Sequence, residues 1–257
     1  MPTFTRNARK LWRGWRWRLE YMVGTPIPPE YDEELAATIR SVRRHTLSSA
    51  ARIATLVDAV EYVVANDIEG DLVECGVWRG GSMMAAALTL KNAGQTGRDL
   101  HLFDTFSGMP EPGEADVPSP YDGYSPKAKW ERKKSSGWAA VGAADVRQSL
   151  LTTGYPAERL HLVQGMVEDT LPALAPEKIS LLRLDTDWYE STKHELEQLF
   201  PRLVVGGVLI VDDYGHYEGA RRAVDEYFAE SGQQVLLSRI DYTGRIAIKQ
   251  APNGRVA

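Results

Sequence analysis

Asp71-Leu72-Val73-Glu74-Cys75-Gly76-Val77-Trp78-Arg79-Gly80-Gly81-Ser82 is the stretch on which the reading of the fold turns. Its first five residues read as a buried strand. The glycines then allow a tight turn and close approach of a ligand to the backbone. A helix beginning at Gly81 would present its N-terminal amides to polar or anionic groups. The spacing is G-x-x-x-G-G, which is not the dinucleotide pattern G-x-G-x-x-G.

Downstream, the same strand-then-helix unit recurs. Strands are expected at Leu100–Phe103, Leu160–Val163, Ile179–Leu184 and Val208–Val211. Helices are expected at 81–93, 143–154, 191–200 and 219–230. Val235–Leu237 and Ile246–Ile248 read as a terminal hairpin. Repeated βα units predict an α/β fold, a mostly parallel seven-stranded sheet with helices on both faces. Upstream, two helices are predicted at 32–44 and 47–66, the second with Ile53, Leu56, Val57, Val60 and Val63-Val64 on one side and Ser48 or Ser49 as cap. Residues 107–142 are rich in Gly, Pro and Ser and carry no strand signal. So long a segment inside a domain reads as a lid, with a helix at 127–134.

The chain has 257 residues and a net charge of −5. A domain of 31–257 is expected, preceded by an arm at 1–30. The arm holds Arg6, Arg9, Lys10, Arg13, Arg16 and Arg18 with Trp12, Trp15 and Trp17. That pattern fits either weak contact with a membrane surface or a helix packing its Trp face on the body or on a second subunit. The remainder is acidic, which argues against nucleic acid as a partner. A single cysteine, Cys75, allows no internal disulfide, no apolar run is long enough to span a membrane, and the N-terminus has no signal-peptide core. A cytoplasmic location is expected on these grounds.

In open α/β sheets ligands bind at the carboxyl ends of the strands. Asp104 ends the second strand, 28 residues after Gly76, where a carboxylate accepts hydrogen bonds from ribose hydroxyls. With the glycine turn it implies an adenosine-bearing cofactor. Asp185 and Asp187 form D-x-D after a later strand, and Asp212-Asp213 follow the next. Carboxylates crowded at one sheet edge repel, and a divalent cation removes that cost. Oxygen-only ligands favour Mg²⁺. Three chemistries suit this edge. Methyl transfer to a hydroxyl uses every element. A D-x-D glycosyltransferase leaves the glycine turn idle. A dehydrogenase would use Tyr189-x-x-x-Lys193, but no serine stands a dozen residues upstream.

Four blocks carry a family resemblance: Gly70–Gly81, Glu168-Asp169-Thr170-Leu171-Pro172, Leu182–Thr192 and Val211-Asp212-Asp213-Tyr214. They resemble the macrocin O-methyltransferases, which methylate sugar hydroxyls of natural products. The resemblance covers about residues 40–250. It implies a class I methyltransferase, Rossmann-like fold with a helical N-terminal extension, S-adenosyl-L-methionine as cofactor and dependence on Mg²⁺. By motif, Asp185, Asp212 and Asp213 would bind the metal and Asp187 would be the general base, although which of Asp185 and Asp187 is ligand and which base stays open. Glu74, Gly76, Trp78, Gly80, Gly81 and Ser82 would line the methionine end. Asp104, Thr105 and Phe106 would hold the ribose, Gly165, Met166 and Val167 would lie near the adenine, and Thr46 would close over the cofactor. The lid aromatics Tyr121, Tyr124, Trp130 and Trp138 would either stack on sugar faces or pack ordinarily. The implied acceptor is a small-molecule glycoside or sugar nucleotide, with a catechol-type phenol as the alternative, and a homo-oligomer is expected.

Overall fold

The computed structural model describes residues 27–119 and 123–251. Most of the basic arm, Tyr121 and the last six residues lie outside them. Two helices come first, α1 (Glu33–Val42) and α2 (Ala50–Ala65). Asp32 caps α1 by accepting from Leu35 N, and Ser49 caps α2 by accepting from Arg52 N. The apolar side of α2 is the expected one, with Ile53, Leu56, Val57, Val60 and Val63 buried.

The alternation then runs β1 (Asp71–Cys75), α3 (Gly81–Asn92), β2 (Leu100–Asp104), α4 (Pro126–Lys133), α5 (Ala143–Leu151), β3 (Leu160–Gln164), α6 (Val167–Thr170), β4 (Ile179–Leu184), α7 (Tyr189–Leu199), β5 (Leu203–Val211), α8 (Glu218–Ser231), β6 (Ser238–Arg239) and β7 (Arg245–Ile248). These form one seven-stranded sheet in the order β3-β2-β1-β4-β5-β7-β6. The first five are parallel; β7 runs antiparallel to β5, and β6 to β7.

Side chains alternate across the sheet, so each strand feeds two cores. Leu72, Leu181 and Val208 join Ile53, Leu56, Val60 and Met83 on one face. Val73, Cys75, Leu182 and Leu184 join Leu196, Leu199 and Val224 on the other. Glu74 and Arg183 are paired in register on the neighbours β1 and β4. By the same alternation both side chains point to the α2 and α3 face.

Several element boundaries shift by a few residues, and three differences from expectation are larger in kind. β5 begins at Leu203, five residues before the expected Val208. The penultimate strand is Ser238–Arg239 and not Val235–Leu237; Val235 and Leu237 pack against the core from outside any strand, and Leu236 between them is 83% exposed. The four-residue α6 carried too little periodicity to be seen. No described helix is long and apolar enough to cross a membrane.

Candidate active site

The carboxyl ends of β1, β2, β3, β4 and β5 surround a cavity of ≈ 230 Å³. Its first wall is the turn after β1. Gly76 has φ +83°, and a Cβ there would stand 2.1 Å from the Asp185 carbonyl oxygen. The turn after β1 thus presses directly on the turn after β4. Gly76→Ala should therefore fail to assemble the site: both the positive φ and the contact exclude a methyl group. Loss of ligand binding together with a lowered melting temperature is the expected result, and a variant melting like the parent would contradict it. Gly81 opens α3 and donates its amide to His45 O at 2.9 Å, which lays the 43–48 loop on the helix start and brings Thr46 to the cavity.

Asp104 clasps this wall. Its Oδ2 accepts from the amides of Val77 at 2.7 Å and Trp78 at 3.1 Å, and its Oδ1 from Phe106 at 2.7 Å. Trp78 is held at φ +50° by that clasp. Asp104 still lines the cavity, with Gly76, Trp78, Gly81, Ser82, Thr105, Gly165, Met166 and Val167. Three residues expected at the cofactor do not line it. Glu74 is turned to Arg183, Gly80 packs toward Val146, and Phe106 joins the apolar core.

The second wall is acidic. Arg183, 3% exposed, binds Glu74 Oε1 at 2.6 Å, Asp185 Oδ2 at 2.7 Å and Asp212 Oδ1 at 2.5 Å. Arg52 of α2 takes the other Asp212 oxygen and binds Asp241 at 3.2 Å. Burial raises the pKa of Asp212, but the two arginines outweigh it and hold the carboxyl below the usual range. Sequence reading placed Asp212 among the metal ligands; both of its oxygens are instead committed to arginines. The oxygens that converge within 4.8 Å belong to Asp185, Asp187 and Asp213.

Burial drives all three upward. Asp187 is pushed up to about 7, and Asp185 and Asp213 well above the usual carboxylate range, with mutual repulsion adding to the effect. Asp213 Oδ2 is buried and has no hydrogen-bond partner among the described residues. Asp187 sits at φ +72°, a conformation that costs a non-glycine residue of order 1–3 kcal/mol and marks functional positions. An all-oxygen set with an orphaned acceptor fits a hard divalent cation.

Groups whose folded pKa is raised contribute stability below their unfolded pKa and lose it as pH rises through the folded value. The cation-free protein should therefore melt at a lower temperature at pH 8 than at pH 5.5. Millimolar Mg²⁺ should restore much of the difference at pH 8 and have less effect at pH 5.5. Melting curves with Mg²⁺ and with chelator check this; no Mg²⁺ shift at pH 8 would remove the cation from the account.

The third wall comes from residues 107–142. Met109 N bonds Trp138 O at 2.9 Å, Trp130 Nε1 bonds Met109 O at 3.1 Å, and Trp188 Nε1 bonds Pro110 O at 3.2 Å. Trp138 and Tyr217 each stand edge-on to Trp188. Of the described aromatics of this segment, Tyr124 packs on Tyr217 and Trp138 on Trp188, Trp130 bonds within the segment, and Trp138 also faces the cavity. Lys129 of α4 enters the cavity with Nζ 4.4 Å from the centre of the Trp138 ring. His216 lines the cavity beside Tyr217.

Sequence reading gave no role to Arg52, Arg183, Glu168, Lys129 or Tyr217. Arg183 and Glu168 stand inside the motif blocks. The partner of Arg52 is 160 residues away, and nothing local signals it.

A family model described as macrocin-O-methyltransferase matches residues 30–248. A curated relative from Streptomyces olivaceus, 8-demethyl-8-(2,3-dimethoxy-alpha-L-rhamnosyl)-tetracenomycin-C 4'-O-methyltransferase, is 36% identical over 220 residues, covering 83% of this chain and 81% of its own. Demethyldecarbamoylnovobiocin O-methyltransferase from Streptomyces niveus is 34% identical over 200 residues, covering 78% of this chain and 74% of its own. The solved structure of the O-methyltransferase NovP matches with a TM-score of 0.72 at 30% identity, covering 94% of this chain and 99% of that one.

Proposed function

The chain belongs to the macrocin O-methyltransferase family, and we propose that it transfers the methyl group of S-adenosyl-L-methionine to a sugar hydroxyl of a natural product or sugar nucleotide, with Mg²⁺ bound. Its fold is the class I Rossmann-like methyltransferase fold and its activity is O-methylation. The D-x-D glycosyltransferase and dehydrogenase readings fall with the family.

The observation that carries the proposal is one cavity joining the glycine turn after β1 to three converging carboxylates after β4 and β5. The methyl donor would lie along Gly76–Ser82, Asp104 and Gly165–Val167, and it supplies an electrophilic methyl. Asp185 and Asp213 would hold the cation, which supplies Lewis acidity toward an acceptor hydroxyl. Two carboxylates suffice for Mg²⁺, which keeps several other oxygen ligands.

Asp187 is the general base in this reading. Without the cation, burial pushes its carboxyl up to about 7; a cation held beside it would lower that value and keep the carboxylate ionised and ready to take a proton. Arg183 and Arg52 fix Asp212, and with it the β5 turn that presents Asp213. Trp138 and Lys129 close the acceptor side and exclude water from the proton transfer. The remaining work is alignment of the acceptor oxygen with the methyl group.

Methyl transfer from labelled S-adenosylmethionine to a panel of deoxysugar glycosides, a deoxysugar nucleotide and a catechol, with Mg²⁺ and with chelator, tests this. Chelator-sensitive labelling of a sugar is the expected outcome. Labelling of the catechol alone would replace the sugar acceptor with a phenol, and labelling unaffected by chelator would remove the metal.

A further inference from the structure

The helix of the 107–142 segment carries charge that the proposed chemistry does not use. The chain has a net charge of −5, yet α4 and the residue after it hold Lys127, Lys129, Arg132, Lys133 and Lys134 against Glu131. Helical spacing sorts these cations into two stripes. On one, Lys127 pairs with Glu111 and Lys134 with Glu131, and both ammonium groups lie over the Trp130 ring. On the other stand Lys129, Arg132 and Lys133, at i, i+3 and i+4. None of these three has an ion pair or a side-chain hydrogen bond among the described residues. Like charges at this spacing repel and weaken a helix, and an anion laid along the stripe removes that repulsion.

The position of the stripe says what that anion belongs to. Lys129 is half-buried, lines the cavity and stands in the field of Asp187 and Asp213. Its Nζ lies 4.4 Å from the centre of the Trp138 ring and 5.1 Å from that of Tyr124. Rings attract the charge but leave the N–H donors without a strong acceptor. Arg132 and Lys133 are exposed, outside the cavity lining, and close enough to act on Lys129. Positive charge therefore begins inside the cavity and runs outward for about one helical turn, ~5–6 Å. The glycine turn and Asp104 belong to another wall, so the stripe faces the acceptor and not the methyl donor. An acceptor sugar with one hydroxyl at Asp187 has its far side toward the mouth. A single carboxylate there would balance one of the three cations; a diphosphate balances most of them.

We infer that the acceptor is a nucleoside diphosphate sugar, its phosphates held by Lys129, Arg132 and Lys133 while a ring hydroxyl lies at Asp187. The inference rests on the sugar O-methylation reading above and narrows it. The methyl group then goes on before the sugar is attached, and the reaction that consumes the product is a glycosyl transfer.

Calorimetric titration with thymidine diphosphate rhamnose, rhamnose 1-phosphate, methyl rhamnoside and methyl glucuronide tests this, with S-adenosylhomocysteine and Mg²⁺ present. The proteins are the parent, Lys129→Met and the double variant Arg132→Gln with Lys133→Gln, with melting curves as a check on folding. The parent should bind the diphosphate sugar about 30-fold or more tighter than methyl rhamnoside, with the 1-phosphate between them. K129M should lose about 10-fold or more of that preference, as expected for one charge-assisted contact in a cavity. The double variant, with its charges at the surface, should lose about 3-fold or more, and its binding should weaken less than the parent's when salt is added. A parent that binds methyl rhamnoside as tightly as the diphosphate sugar would overturn the assignment and leave the sugar reading standing. So would binding of the glucuronide in preference to either phosphate, or folded variants that both keep the parent's preference. Binding of S-adenosylhomocysteine with none of the four sugars would strike the sugar reading itself, and the assignment with it.

Discussion

Asp187→Asn is expected to lower turnover by roughly 10²–10⁴-fold while leaving binding of S-adenosylhomocysteine and of the cation within a few-fold of the parent. The asparagine keeps the size of the side chain and removes only its ability to take a proton. The strained backbone at φ +72° accepts Asn as readily as Asp. Asp187 also stands among the three converging carboxylates, and that makes the cation measurement decisive. A variant that loses both turnover and cation affinity would make Asp187 a ligand. A variant with normal turnover would refute its role as base. Asp213→Asn, in contrast, should lose cation affinity first, because its orphaned oxygen is the acceptor left for the cation.

The second large effect is structural. Arg183→Met should destabilise the protein by about 3–5 kcal/mol, because it leaves Glu74, Asp185 and Asp212 buried around a missing charge. For a chain of this size that corresponds to a fall in melting temperature of roughly 6–20 °C. Removing a partner from a buried ion pair costs more than the pair's net worth, since the remaining charges keep their desolvation penalty. Burial already pushes Glu74 up to about 7 even with Arg183 beside it. A double variant with Glu74→Gln should recover part of the loss by removing one of the stranded charges. An R183M protein that melts like the parent would mean that this arginine does not organise the acidic wall.

The parts of the site legible in the sequence are those set by local pattern. β1 and β4 fall where their apolar runs place them, and the residues after each strand end at the cavity, because parallel strands deliver their carboxyl ends to one edge. Asp185, Asp187, Asp212 and Asp213 could be brought to one sheet edge from strand order, and all four line the cavity. What stayed hidden depends on which face a side chain takes and on what meets it from far away. Glu74 is a cofactor residue by family motif. The alternation of the strand sends it to the α2 and α3 face, where Arg183 waits in register. Asp212 read as a ligand like its neighbour Asp213, yet arginines hold both of its oxygens, one of them Arg52 from a helix 160 residues earlier. Leu236 misled in the other direction: its apolar character suggested a strand, and it lies open to solvent.

The segment 107–142 marks the boundary between the two kinds of information. Its length and composition read as those of a lid, and its helix at Pro126–Lys133 falls within a residue or two of the expected 127–134. The anchors could not be, since Trp188 and Tyr217, on which its aromatics pack, come from two other elements. Lys129 of α4 reaches the cavity beside Trp138, one of the anchored rings.

The central claim is that this cavity holds a nucleoside methyl donor beside a divalent cation site. Calorimetric titration of the protein with S-adenosylhomocysteine, in Mg²⁺ and again in chelator, with NAD and a nucleotide diphosphate sugar in parallel, tests it most directly. The account predicts micromolar binding of S-adenosylhomocysteine alone, retained in chelator because the glycine turn and Asp104, and not the cation, would hold it. Binding of NAD or the nucleotide sugar, with none of S-adenosylhomocysteine, would contradict it.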